Sequence, residues 1–232
     1  MRLNKFLARS GVDSRRKCDN LIKNKKISIN GNIVIDFSYQ VKDDDVVLLN
    51  GKYLDIQDKS VVYILNKPKG YVCTSKDVYS RLKVVDLIDT NVRLFTIGRL
   101  DRDTTGIILL TNDGDISNYL THPKYKKEKK YYVKTKGKID GVFLKQIKNR
   151  YILKDGTKVK AKIKLLSQLG NNFEWDVILE EGKNREIKRI FSNFDAKVTL
   201  LHRYYFSGFQ LNNLNPGKYK KLSKEQMRKI IK

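Results

Sequence analysis

An acidic loop between two apolar segments is the feature that most constrains how this chain folds. Gly98 and Gly106 bracket the loop, the apolar segment 95–97 precedes it, and the apolar segment 107–110 follows it directly. Short apolar runs bounded by glycine are typical of buried strands, so the pattern predicts two strands joined by a tight connection. Asp101 lies in the middle of this connection. Its carboxylate either caps local backbone or does chemistry on a ligand.

The charge of the chain makes that acid unusual. Lys and Arg number 49 against 25 Asp and Glu, a formal net charge of +24 that is spread over the whole sequence. Such a surface favours an extended polyanion, and we expect nucleic acid as the partner. The alternative is a lysine-rich composition set by codon usage. No apolar run approaches the roughly 18 residues of a membrane span, and the N-terminus lacks a signal-peptide core, so we expect a cytoplasmic protein with no membrane partner.

Residues 1–58 have the pattern of a small domain. Leu3 and Phe6 recur at helical spacing, as do Cys18 and Ile22, and Asp13 or Ser14 is a candidate cap for the second helix. Apolar segments then flank Asn-Gly pairs at 30–31 and 50–51, which are strong hairpin signals. We therefore predict two helices followed by a small sheet, with a polar linker over 52–60.

Residues 59–232 predict a larger α+β domain built on a mainly antiparallel sheet with flanking helices. A buried strand over 61–65 is expected to stop at the turn 66–70. Apolar residues alternate with polar ones over 158–165 and 173–179, which indicates strands with one solvated face. Segments 115–121 and 140–148 have helix character, and Ser223 with Gln226 predicts a capping box that opens a last helix to Lys232.

Several kinds of chemistry lack the residues they require. The loop resembles the opening of a calcium loop, but Asn112 stands where a bidentate glutamate is needed, and an apolar strand follows instead of a helix. Nucleotide-binding, GxSxG and HExxH motifs are absent, and the two cysteines and two histidines form no ligand cluster. We expect no metal and no cofactor. A carboxylate, tyrosines and cations remain, a set suited to chemistry at a glycosidic bond of a base extruded from RNA.

The segment RLNKFLARSGVDSRRKCDNLIKNKKISINGNIV, residues 2–34, resembles an S4 RNA-binding domain. In that family the two helices and the hairpin grip structured RNA. The resemblance therefore implies an RNA-binding role for five cations of this domain: Arg2, Lys5, Arg15, Arg16 and Lys17. A basic face that is merely solvated is the alternative reading of the same residues.

The second domain contains five distinctive blocks, in this order: ILNKPKGYVCT, GRLDRDTTGIILLTNDGD, KKYYVKTKG, EEGKNREIKRIF and LLHRYYFSGFQL. Together they resemble the pseudouridine synthases that modify bacterial ribosomal RNA. The resemblance implies isomerisation of uridine in RNA to pseudouridine. Asp101 matches the catalytic aspartate of the family, Tyr131 the tyrosine that stacks beneath the target base, and Lys188 the active-site cation.

Lys188 departs from the family pattern, because many relatives have arginine there. A lysine lacks the planar fork of arginine, so its pairing with Asp101 is expected to be monodentate. Asp103 and Thr104 are expected to shape the loop, and Tyr132 to face away from Tyr131. Four further cations are assigned to RNA phosphates: Arg99, Arg102, Arg185 and Arg189.

The resemblance implies ribosomal RNA or a pre-ribosomal particle as the partner, and we expect a monomer. The block EGKNREIKR favours 23S over 16S RNA. Two alternatives stay open on the sequence. One is a non-catalytic RNA-binding or ribosome-assembly factor on the same fold. The other is an RNA N-glycosylase or nuclease that uses the same carboxylate, which would leave abasic sites or strand breaks.

Overall fold

The structure, a computed structural model, describes residues 1–56, 59–74, 79–223 and 225–227. Backbone contacts divide the chain into two compact units. Residues 1–61, joined by 90–93 and 112–114, form the first unit, and the remaining residues form the second. In the described residues, no helix is long and apolar enough to cross a membrane.

The first unit consists of two helices and a four-stranded sheet, as the sequence predicts. Its core contains both helical stripes, with Leu3, Leu7, Cys18 and Ile22 fully buried. The sheet has the order β2-β1-β3-β4 and every pairing is antiparallel. The elements are α1 (Leu3–Arg9), α2 (Arg15–Lys23), β1 (Ile27–Ile29), β2 (Asn32–Ile33), β3 (Val47–Leu49) and β4 (Lys52–Tyr53).

Both predicted Asn-Gly turns are present as hairpins. Asn30 and Gly31 have φ values of 50° and 84°, the left-handed backbone that a two-residue hairpin needs. The second turn, at 50–51, joins β3 to β4, so the prediction of a linker from residue 52 is wrong. Ser14 occupies the N-cap of α2, but its side chain makes no capping hydrogen bond. Asp13 instead accepts from the Ser14 N–H and from Lys17.

The second unit is built on a nine-stranded sheet with helices against it. The strand order is β11-β12-β8-β13-β7-β5-β15, with β6 also paired to β7 and β14 to β13. The later strands are β5 (Val62–Lys67), β6 (Phe95–Ile97), β7 (Thr105–Thr111), β8 (Lys129–Lys136), β9 (Tyr151–Ile152), β10 (Lys158–Val159), β11 (Lys162–Leu169), β12 (Asn172–Leu179), β13 (Lys197–Phe206), β14 (Phe209–Gln210) and β15 (Tyr219–Lys221). The later helices are α3 (Gly114–Thr121), α4 (Gly141–Gln146) and α5 (Glu186–Ser192), with 3-10 turns at Val84–Leu87 and Pro123–Tyr125.

The predicted α+β class with a mainly antiparallel sheet is confirmed, and the pair β13·β7 is its parallel exception. Gly106 explains how these two strands approach. It has a φ of 105°, and a Cβ there would lie 2.2 Å from the backbone oxygen of Arg203. Any larger residue would therefore push β13 away from β7 at the point where β7 leaves the acidic loop.

Two strand predictions are wrong in their extent. The strand β5 does not stop at Asn66 but runs through Lys67, which is fully buried. The segment 158–165 is not one strand, because β10 ends at Val159 and β11 begins at Lys162. The predicted capping box is present, with the Ser223 N–H donating to Gln226 at 3.0 Å and the Gln226 N–H donating to the Ser223 hydroxyl at 3.2 Å. The predicted continuation to Lys232 lies outside the described residues.

Candidate active site

A buried lysine holds the acidic loop in place from one side. The Lys67 ammonium donates to the carbonyl oxygens of Pro68 at 3.0 Å, Arg102 at 3.2 Å and Thr104 at 2.8 Å. Two of these carbonyls belong to the loop itself. Burial lowers the pKa of Lys67, while Cys73, Asp103 and Asp101 act in the opposite direction. The carbonyl dipoles replace the hydration that the ammonium loses, so the loop backbone and Lys67 depend on each other.

Asp101 lies at the turn of this loop and faces two cations, Lys188 of α5 and Arg185 at the N-cap of that helix. Its Oδ2 lies 3.3 Å from Lys188 Nζ and 3.9 Å from Arg185 Nη1. The Asp101 side chain is 34% exposed and that of Lys188 only 19% exposed, so the closer pair is partly shielded from water. The described ion pair joins Lys188 Nζ to one oxygen of the carboxylate, so the pairing is monodentate, as the sequence predicts. Arg185, which the sequence assigned to phosphate, also approaches the carboxylate.

The turn before α5 positions Arg185 and Lys188. Arg185 has a φ of 49° and occupies the N-cap position of the helix. The buried Glu186 carboxylate accepts from the Lys183 N–H at 2.8 Å, which closes the turn on itself. Burial raises the pKa of Glu186, against the hydrogen bond from Lys183. Lys188 lies in the first turn of α5 and Arg185 immediately before the helix, and both side chains approach Asp101 Oδ2.

Tyr131, in strand β8, lies on the side of the sheet that faces Asp101 and Lys188. In β8, every second residue from Lys129 is buried, and Tyr131 is one of these. It lies directly opposite Val177 on one side and Arg203 on the other. Tyr132 points to the opposite face, where it lies near Lys134, with the Lys134 Nζ 5.6 Å from the ring centroid. The alternation along β8 therefore separates the two adjacent tyrosines, as the sequence predicts.

Asp101, Tyr131 and Lys188 line one cavity of about 280 Å³. Apolar side chains of Leu179, Ile187 and Leu201 share the lining with them. A carboxylate held by a cation, next to an aromatic ring and apolar walls, is a combination that accommodates a flat polar ring such as a nucleobase. The three residues come from a loop, a strand and a helix that are far apart in sequence, and the fold brings them together.

Three buried charged residues of this cavity were not found from the sequence: Lys129, Glu186 and Arg203. Lys129 Nζ donates to the Lys127 oxygen at 2.9 Å, and burial lowers its pKa to about 8. Arg203 Nε donates to the Ile107 oxygen at 2.8 Å. The available signal was the strand period: Lys129 is two residues before Tyr131 and so shares its buried face.

The remaining predicted RNA-binding cations are distributed over both units. Arg99 and Arg102 are exposed on the acidic loop beside Asp101. Arg189 is engaged within the protein, since its Nε donates to Asp155 at 2.8 Å. The cations of the first unit lie on or beside its two helices, with Arg2, Arg15 and Arg16 exposed, Lys5 half-buried, and Lys17 paired to Asp13 at 2.8 Å.

Comparison with known proteins assigns the class. Residues 61–193 match the family model described as RNA pseudouridylate synthase, and residues 1–47 match that of the S4 domain. The chain is 34% identical over 99% of its length to ribosomal large subunit pseudouridine synthase B of Bacillus subtilis (strain 168), covering 95% of that protein. An uncharacterized RNA pseudouridine synthase of Rickettsia bellii (strain RML369-C) is 37% identical over 97% of each chain.

A solved structure agrees with these sequence relatives. A crystal structure of a pseudouridylate synthase superposes with a TM-score of 0.69, at 29% identity and over 99% of each chain. The chain therefore belongs to the RNA pseudouridylate synthase family and carries an S4 domain at its N-terminus. The predicted family resemblance and the predicted enzyme class are both confirmed.

Proposed function

We propose that this protein isomerises a uridine of ribosomal RNA to pseudouridine, with 23S RNA as the substrate. The meeting of Asp101, Lys188 and Tyr131 around one cavity is the observation that supports this most directly. The name of the Bacillus subtilis relative, a large-subunit enzyme, supports ribosomal RNA and the 23S assignment. A non-catalytic factor on the same fold would have no need for a carboxylate held 3.3 Å from a shielded ammonium.

In the proposed reaction the uridine is flipped out of its helix into the cavity, since the reacting bond is not accessible within a stack. The bond between N1 and the ribose breaks, the uracil turns, and C5 joins the ribose carbon. C5 then loses its proton while N1 gains one, so the product is an isomer of the substrate. Asp101 acts as a carboxylate, either by attack at the nucleoside or by proton abstraction from it. Both routes use the carboxylate, and Lys188 Nζ, 3.3 Å from Asp101 Oδ2, is the cation nearest to it.

Tyr131 has a separate task in this proposal. Its ring forms part of the cavity wall from β8, where it is held between β12 and β13. An aromatic face beneath the extruded base replaces the stacking that the base loses when it leaves the RNA. Arg99 and Arg102 flank Asp101 and are exposed, which supports a role for them in binding the phosphates next to the flipped nucleotide.

Asp101→Asn tests the proposal directly. Release of tritium from C5-labelled uridine in ribosomal RNA should fall by about 10³-fold or more, because the amide neither attacks nor abstracts a proton. Asp103→Asn, an exposed residue of the same loop, is the matched control and should keep most of the turnover. Unchanged turnover in Asp101→Asn overturns the proposal. Strand breaks or abasic sites in place of a mass-neutral product would assign an N-glycosylase or nuclease instead.

Lys188→Ala tests the role of the cation. We expect turnover to fall by about 10²-fold, since the carboxylate loses its nearest positive charge, and Lys188→Arg to restore most of it. Single-turnover rates at saturating RNA separate this effect from binding. A loss that arginine does not repair, or no loss in the alanine variant, would argue against charge stabilisation of Asp101 by this residue.

The proposed function also assigns roles to the two domains. We propose that residues 1–58 are an RNA-binding domain and 59–232 the catalytic domain, a division supported by the bounds of the two family models. In the first domain, Arg2, Lys5, Arg15, Arg16 and Lys17 contact RNA. The proposed enzyme is a monomer of the cytoplasm, binds ribosomal RNA or a pre-ribosomal particle, and needs no membrane, metal or cofactor.

A further inference from the structure

A second cavity, of about 370 Å³, adjoins the one that contains Asp101. Arg185 and Lys188 line both cavities, so they form the partition between them. The far wall of the second cavity is the β9–β10 hairpin, residues 151–159, which contributes Lys154. The helix that carries the proposed catalytic cation thus has a neighbouring groove on its other side.

The hairpin is fixed to α5 by several contacts. Arg189 donates to the Asp155 carboxylate at 2.8 Å and also contacts the Thr157 hydroxyl. One turn further along, the Asn193 side-chain oxygen accepts from the Lys154 N–H at 2.8 Å. These contacts set the width of the groove before any ligand arrives. Arg189 therefore acts as a positioning residue for the hairpin.

The groove has an excess of positive charge. Its lining contains four cations, Lys154, Arg185, Lys188 and Arg189, and one carboxylate, Asp155. The hydrogen bonds from Thr157 and then the contact with Arg189 lower the pKa of Asp155 to about 2, so this acid is ionised and occupied by Arg189. Lys154 is exposed on the far wall. Three cations therefore surround a preformed groove whose own acid is already paired.

We propose that this groove is a phosphodiester subsite, in which Lys154 binds the backbone of the RNA strand next to the target nucleotide. The proposal rests on the proposed function, because the strand that delivers a base to Asp101 must leave the first cavity past its walls. Arg185 and Lys188 contribute positive charge to the lining of both cavities. This favours a continuous path for the RNA backbone from the first cavity into the groove. The hairpin would then select how the strand leaves the site.

Lys154→Ala tests the subsite, with Lys160→Ala as the matched control. Lys160 is an exposed lysine just beyond the same hairpin and lines neither cavity. Both variants remove one positive charge, so general attraction to RNA changes equally. With a 23S RNA fragment as the probe, we expect Lys154→Ala to raise KM by about 3- to 10-fold and to reduce the salt slope of binding by about 0.7 to 0.9. The rate at saturating RNA should stay unchanged.

Equal KM values and salt slopes in Lys154→Ala and Lys160→Ala overturn the subsite. A lower rate at saturating RNA in Lys154→Ala, with unchanged KM, also overturns it and would assign the hairpin a role in organising α5. Wild-type protein is measured alongside. If the wild type forms pseudouridine and the two variants have the same KM and salt slope, only the subsite is rejected. If the wild type forms no pseudouridine, the proposed function is rejected.

Discussion

The exposed cations of the first unit and the buried cations around the acidic loop are held in opposite ways. In the first unit, Arg15 and Arg16 are exposed at the start of α2, whose buried face is apolar. Around the loop, Lys67 is fully buried and Arg203 is 2% exposed, and both donate to backbone carbonyls. The same residue types serve as a solvated surface in one region and as internal supports in the other.

The physical reason for the difference is the cost of burying charge. An exposed cation keeps its hydration and is available for long-range, salt-dependent attraction to a polyanion. A buried cation must donate its hydrogen bonds to acceptors within the protein, so it fixes the groups that accept them. Lys67 fixes the loop of Asp101, whereas Arg15 fixes little beyond its 3.3 Å contact with Asn4. The buried basic residues near the site therefore set geometry, whereas exposed ones such as Arg15 and Arg16 remain available to a polyanion.

Lys67→Met should produce the largest stability effect of this comparison. The variant removes an ammonium that three carbonyls use, two of them in the loop, and we expect the free energy of unfolding to fall by about 3 to 4 kcal/mol. Urea denaturation measures the change. Lys69→Met, an exposed lysine two residues later, should change stability by less than about 0.5 kcal/mol. Equal effects at both positions would remove the distinction between buried and exposed cations.

Lys129→Met should change how stability depends on pH. Burial lowers the pKa of Lys129 to about 8 in the folded protein, from an ordinary value near 10.5. Between these values the unfolded chain holds a proton that the folded protein has released, so the stability of the wild type rises with pH. Lys129→Met removes this rise.

The size of that change follows from the two pKa values. Between pH 7 and pH 10 the stability of Lys129→Met relative to wild type should fall by about 2 to 3 kcal/mol. Denaturation curves at the two pH values measure it, with the exposed Lys126→Met as control. A constant difference between Lys129→Met and wild type across this range would show that Lys129 is not desolvated.

Replacing Arg15 and Arg16 together by alanine should affect binding and not stability. Both side chains are exposed, so the free energy of unfolding should change by less than about 0.5 kcal/mol. The dissociation constant for ribosomal RNA at moderate salt should rise by about 10-fold, and the salt slope should fall by about 1.5. Lys42→Ala with Lys52→Ala removes the same charge from the same unit and should do less. If the two double variants have the same dissociation constant and salt slope, Arg15 and Arg16 have no specific role and the first unit attracts RNA only by its overall positive charge.

Much of the fold could be predicted because its signals are local. The period of Leu3, Phe6, Cys18 and Ile22 predicted the helices of the first unit, and the Asn-Gly pairs predicted its hairpins. Alternation predicted β12, where each buried residue is followed by a less buried one. The end of β5 could not be predicted in the same way. Asn66 and Lys67 read as turn residues, and only partners distant in sequence allow a lysine to be buried there.

The sequence by itself predicted the two-part organisation and singled out Asp101 in the acidic loop, and the family resemblance of its motif blocks added Tyr131 and Lys188 as residues of interest. Those follow from short-range patterns and from motif blocks that can be read one at a time. Only the tertiary structure decided that Lys188 lies 3.3 Å from Asp101, that Arg185 also approaches it, and that Lys67 and Arg203 support the site from within. Distances and burial depend on which segments pack together, and no local pattern contains the carbonyl partners that make a buried charge stable.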